Sequence, residues 1–376
     1  MLVKQKAGEP TMAAVEQKHA GSLSYTPEFD GLRALAVFAV LIYHYQGGFL
    51  DLIANAVPLG LYGVRLFFVL SGFLITSILI NANASAETGT PKAPIMRSFY
   101  GRRFLRILPA YYLLLLLMFI AGDEGFRQVM WWHAAYLSNT VSAVYSEPFA
   151  SGALIDPATS HLWSLSVEAQ FYLIWPFLML FISKRSLVAL AIFLIALGPI
   201  ARAVLFVFGY LHDPNYLVST TDPLAAGALL AMWKAGWIPW LSREMIAKLT
   251  FTAAAIFAAC VAMSVQDLWY RPSVIFFPFA ESFLFAWLLL VILEGKLQLF
   301  AKFLRTRWLI YIGKISYGVY LYHALVWNVV ADHIIDLSES HRLAQSLIAT
   351  IATIIFASIS WRLIEKPLLG LKRRLG

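Results

Sequence analysis

Charge is scarce in this sequence: 13% of its 376 residues are Asp, Glu, Lys or Arg, against 60% hydrophobic. Soluble domains carry about a quarter charged residues, so water is excluded as the solvent for most of the chain. With a mean hydropathy of +0.71, it reads as an all-α polytopic integral membrane protein. Cysteine is nearly absent. Cys260 stands alone in an apolar run, which excludes an intrachain disulfide and a thiolate metal cluster and leaves an inert core thiol. There is no HExxH-type pair at one-turn spacing, so no metal site is expected. No hydrophilic stretch is long enough for an appended soluble domain, and no tandem repeat or heptad array is apparent. The first 28 residues lack an apolar h-region, so no cleaved signal peptide is expected and the first helix should act as signal anchor.

What is present is a series of apolar runs of spanning length. They cover residues 29–49, 58–81, 103–121, 161–182, 186–209, 219–233, 248–266, 272–294, 308–331 and 342–364, about ten transmembrane helices, the sixth short and interrupted by glycine. Placing the N-terminus inside puts 22 of the 29 Lys and Arg residues in inner segments. The positive-inside rule then sets both termini in the cytoplasm. The same rule explains the net charge of +8 and gives no reason to expect nucleic acid. The expected organisation is a cytoplasmic tail over 1–26, one membrane domain over 27–367 and a basic cytoplasmic tail over 368–376. The outer segment 122–160 carries Trp131 and Trp132, which read as headgroup anchors on an interfacial piece, not an eleventh span.

The run PEFDGLRALAVFAVLIYHYQGGF, Pro27 to Phe49, contains the most informative polar residues. Arg33 and His44 are eleven steps apart, which is about three helical turns, so they share one face roughly 16 Å apart. Asp30 precedes Arg33 by three and can pair with it. Such groups inside a membrane helix face protein or a wet cavity and are functional candidates by default.

This stretch resembles the first helix of the acyltransferase 3 family, multi-pass membrane enzymes that acylate cell-surface carbohydrates. GVRLFFVLSGFLIT (63–76), RRFLRILPAYY (102–112), HLWSLSVEAQFYLIWP (161–176), ISYGVYLYHALV (315–326) and the closing IEKP (364–367) match in the family's order. The resemblance is nearly full-length. It implies acyl transfer, acetyl above all, from cytoplasmic acyl-CoA as co-substrate to a hydroxyl of an exported or lipid-linked glycan. No bound cofactor is expected. It also implies an integral plasma membrane location, the bacterial inner membrane.

With the first helix running outward and the fourth inward, His44 and Glu168 should lie level, about 10 Å below the outer surface. Arg65, Arg202 and His323 fall in the same half, which predicts a polar pit open to the outside. A histidine near a carboxylate is the minimal general base for a sugar hydroxyl. His44, Glu168 and Arg33 are therefore the candidate catalytic residues; the bland readings are a packed imidazole and a Glu that pairs with Arg65 or Arg202. Arg102, Arg103 and Arg106, together with Asp30 and Arg33, are the candidate donor-binding set, since forked guanidinium groups suit CoA phosphates. Their alternative is topology and anionic lipid contact. Trp163, Ser166, Arg65, Ser71, Arg202, Tyr320 and His323 are candidate acceptor-binding or supporting residues. Ser71 lacks a GxSxG elbow, which weighs against a nucleophile, and Gly72 beside it reads as a helix-packing residue. A secondary transporter with an intramembrane His/Glu/Arg relay is the reading from another class; it lacks the two-half repeat such proteins show.

Overall fold

A computed structural model describes residues 25–45, 58–121, 124–145, 159–208, 216–265, 270–331 and 342–370. The expected tails fall almost wholly outside these, as do Pro148, Gly152 and Pro157 of the outer segment. Among the described residues the chain is helical and no strand occurs. In order the helices are α1 Pro27–His44, α2 Leu59–Glu87, α3 Lys92–Ala121, α4 Glu124–Ala134, α5 Ser138–Tyr145, α6 Leu162–Phe181, α7 Lys184–Val207, α8 Thr221–Lys234, α9 Arg243–Val265, α10 Tyr270–Leu293, α11 Gln298–Leu304, α12 Arg307–Val329, α13 Arg342–Ser360 and α14 Lys366–Gly370. A π-helical turn, Trp361–Glu365, joins the last two. Each of the ten apolar runs falls on a long helix; α4, α5, α11 and α14 are short additions.

Among the described residues seven helices are long and apolar enough to cross a membrane: α2, α3, α6, α7, α9, α10 and α13 with its continuation to Gly370. The other three fall short for visible reasons. α1 has 18 residues and carries Glu28, Asp30 and Arg33; α8 has 14 residues; α12 mixes Arg307, Lys314 and His323 with aromatics. These three sit among other helices: α1 lies against α2 and α12, and α8 against α2, α7 and α10. Eleven of the fourteen residues of α8 are buried. A helix sheathed by protein does not need an apolar surface, because its polar groups meet partners instead of lipid.

The outer ring shows the opposite pattern. α6 turns Leu173, Ile174, Phe177 and Phe181 outward and α7 turns out Ile192, Phe193, Ile200 and Val204, all 42–62% exposed. A continuous apolar surface of this kind suits hydrocarbon, not water. α4 and α5, at 11 and 8 residues, are too short to span, in line with an interfacial segment.

Close backbone approach holds the centre. Gly72 on α2 rests against the Leu224 carbonyl of α8, and Gly227 on α8 rests against the Val69 carbonyl of α2. A Cβ at either position would meet backbone oxygen, so only glycine lets these two helices cross at that distance.

Candidate active site

A cavity of about 250 Å³ opens between α1, α2, α3, α6 and α12. Its chemistry is graded. At one end, hereafter the basic end, stand Arg33, Arg103 and Arg106. Arg33 is held by Asp30 at 2.9 Å, whose other oxygen accepts from the Tyr25 hydroxyl at 2.6 Å. The Arg103 guanidinium lies over the rings of Phe99 and Tyr172 at 5.7 and 5.6 Å, which fixes its plane. Three cations against one lining carboxylate, Glu168, leave this end of the cavity with an excess of positive charge.

Midway, Ser71 of α2 and Tyr172 of α6 both donate to Oε1 of Glu168, and the two hydroxyls are 2.9 Å apart. Glu168 and Tyr172 are one turn apart on α6, so they share a face. Around them Val64, Phe67, Phe68, Leu74, Ile75 and Leu165 give apolar walls. At the far end Ser164 and Tyr320 close the cavity, their hydroxyls hydrogen-bonded at 2.5 Å.

Beyond Tyr320 lie three histidines. The His323 ring is 4.8 Å from His44 and 4.6 Å from His161, and Tyr320 is 5.5 Å from His161 and 5.6 Å from His323. His44, the last residue of α1, is exposed, whereas His161 and His323 are buried. Each ring donates one N–H to a carbonyl: His44 Nδ1 to Val40 at 2.9 Å, His323 Nδ1 to Tyr320 at 2.6 Å, His161 Nε2 to Leu321 at 3.1 Å.

His44 and Glu168 are therefore not level. Residues 46–49 of the expected first run lie outside the described residues; His44 aligns, through His323 between them, with His161 at the start of α6. Glu168, seven residues further in, lies about 10 Å deeper. Their neighbours do not overlap: Glu168 meets Ser71 and Tyr172, and His44 meets Tyr43 and His323.

The single polar pit dissolves in the same way. Arg65 pairs with Glu281 of α10. Arg202 forks onto Asp222 of α8 at 3.0 and 2.8 Å and also donates to the Ile275 carbonyl at 3.0 Å. Neither arginine lines the cavity; both tie helices together. Arg102 turns to Ser98 and is also outside it. Trp163 packs on Phe68 at 6.1 Å. Ser166 accepts from the Ser138 backbone N–H at 3.1 Å, which seats the start of α5 on α6. Ser71, Tyr320, Arg33, Arg103, Arg106 and Glu168 do meet in one cavity, with Asp30 behind Arg33.

Sequence reasoning passed over Tyr172, His161, Glu281 and Asp222. Tyr172 had a legible signal, since it stands four residues after Glu168 on the same face. His161 opened a quoted motif but carried no spacing to another histidine.

A family model described as an acyltransferase domain, acyltransferase 3, matches residues 26–362. The chain is 30% identical over 389 residues to the peptidoglycan O-acetyltransferase OatA of Listeria monocytogenes, covering 92% of this chain and 56% of that protein. It is 30% identical over 378 residues to the O-acetyltransferase OatA of Staphylococcus aureus, covering 92% and 57%. The putative peptidoglycan O-acetyltransferase YrhL of Bacillus subtilis is 29% identical over 377 residues, covering 92% and 55%. The chain thus spans just over half the length of these relatives. No solved structure matches.

Proposed function

Because the chain belongs to the acyltransferase 3 family, matched over residues 26–362, we propose that it moves an acetyl group from acetyl-CoA to a hydroxyl of a cell-envelope glycan of the peptidoglycan kind. In this reading all ten long helices cross the bacterial inner membrane and both termini are cytoplasmic. The membrane domain is 27–367 with short tails on either side. The basic end of the cavity then faces the cytoplasm and the histidines face outward.

The observation that carries the proposal is the graded cavity, with Arg33, Arg103 and Arg106 at one end, Ser71, Glu168 and Tyr172 midway, and histidines beyond the other end. CoA phosphates bind the guanidinium groups. The pantetheine arm lies along the apolar walls toward Ser164 and Tyr320. Ser71 and Tyr172, oriented by Glu168, hydrogen-bond that arm. His44 keeps one ring nitrogen on the Val40 carbonyl and presents the other, a bare lone pair, to the acceptor hydroxyl. Taking the proton as attack begins makes His44 the general base.

The test is acetyl transfer by purified protein in a bilayer, with labelled acetyl-CoA and glycan fragments, read as an alkali-labile ester on the sugar. Uptake of a sugar or anion into proteoliposomes with no ester formed would replace this reading by a transporter.

A further inference from the structure

The two ends of the cavity differ in access as well as in charge. α2 and α6 lie side by side and run the same way: Phe68 meets Trp163 at 6.1 Å, Ser71 meets Glu168, and Thr76 accepts from the Trp175 indole at 2.8 Å. Ile78 of α2 therefore lines the cavity on the side of Tyr172 and Arg103, and Val64 lines it on the side of Ser164. Ile78 is 38% exposed, whereas Val64, Phe68, Ser164, Leu165 and Tyr320 are 3–7% exposed. The basic end is the mouth and the other end is blind.

The blind end is a packed wall. The Tyr320 hydroxyl is held by Ser164 at 2.5 Å and donates to the His161 carbonyl at 3.1 Å, which fixes the ring across the end. Phe67 meets that ring edge-on at 6.2 Å. Val64, Phe68 and Leu165 belong to the continuous core behind. At such packing density one more methylene has to displace a neighbour. Phe67 differs from these three in being only partly buried, so its ring is the wall residue that can be cut back without opening the core.

A thioester whose phosphates lie on the arginines leads with its acyl tail. The tail then meets the wall at a fixed distance from the mouth, and the cavity measures it. We propose that Val64, Phe67, Phe68 and Leu165 form the acyl-tail pocket and that Phe67 sets its length at acetyl. This rests on the acyl-transfer reading above and adds the residue that limits the acyl group.

The experiment gives full-length protein in a bilayer acetyl-, propionyl- or butyryl-CoA with the same glycan fragments and reads kcat/KM for each. The three thioesters share head and arm, so contacts with the arginines cancel in the ratios and only the acyl ends are compared. Each added methylene is expected to lower kcat/KM of wild type by about tenfold or more. Phe67→Ala should raise butyryl relative to acetyl by about tenfold or more, and Phe67→Leu, the milder cut, should move the ratio the same way if the alanine protein folds poorly. Ile78→Ala removes apolar volume at the mouth and should leave the ratio as in wild type. Equal use of the three thioesters by wild type, an unchanged ratio in folded Phe67 variants, or an equal shift in Ile78→Ala would overturn the proposal. Ester formation from none of the three would instead remove the acyl-CoA reading on which it stands.

Discussion

His44 occupies the last position of its helix with one nitrogen tied back to Val40, so the ring is oriented without help from a carboxylate. His44→Gln keeps size and hydrogen bonding but cannot accept a proton at neutral pH. We expect a loss of about 10²-fold or more in transfer with unchanged amounts of folded protein, checked by assay beside size-exclusion profiles. The arginines divide along structural lines. Arg103→Gln and Arg106→Gln each remove a charged donor from the cavity and should raise KM for acetyl-CoA by about tenfold, the scale of one charge-assisted bond. Arg103→Lys should recover part of it, keeping charge without the fork. Arg102→Gln should change KM by less than about twofold, because that side chain points to Ser98. Which of three neighbouring arginines faces the cavity was not legible from RRFLR. At 100° per residue Arg102 and Arg106 are nearly eclipsed, and only the packing of α3 decides among them.

At the scale of elements, the ion pairs between helices explain why two sequence candidates left the site. An intramembrane arginine shows no partner in a linear reading. Glu281 lies 216 residues from Arg65, and Asp222 lies 20 from Arg202 across a chain reversal. Asp222→Asn should cost about 3–5 kcal/mol, since it strands a buried guanidinium. Folded protein should fall while kcat per folded molecule holds; replacing both partners, Arg202→Met with Asp222→Leu, should restore most of the yield. The α4–α5 junction gives a pH test. His133 at the end of α4 is buried, contacts Ser138 at 2.7 Å and stacks on Phe126 at 5.8 Å. Burial pushes its pKa down to about 4 from 6.5. The neutral ring is the one that fits, so its stabilisation is complete above pH 6.5 and is lost as pH falls toward 4. Protease protection of α4 should weaken across that window, and His133→Gln should flatten the dependence.

For the whole molecule, helix positions were largely legible because the apolar runs are long and separated by charge. Depths were not, since they depend on where each helix stops. His44 stands level with His161 and not with Glu168, seven residues further along α6, so one expected pit becomes a cavity with a histidine row behind it. Orientation is tested by reporters: one after Gly376 or within Ala84 to Thr90 should read cytoplasmic, and one within Ser142 to Ala150 external. A reporter after Gly376 that reads external would reverse the two ends of the cavity and with them the roles of arginines and histidines.

The burial of α8 bears on how the protein is made. A helix of 14 residues with an aspartate in its first turn is too short and too polar to partition into lipid as it emerges from the translocation machinery. Its Asp222 meets Arg202 of α7, the helix made just before it, and its Gly227 face fits α2, made earlier still. α7 must therefore wait with an unpaired arginine until α8 arrives, and the two enter as a hairpin whose charges cancel. Biogenesis at this point is an assembly step between helices, not the insertion of one.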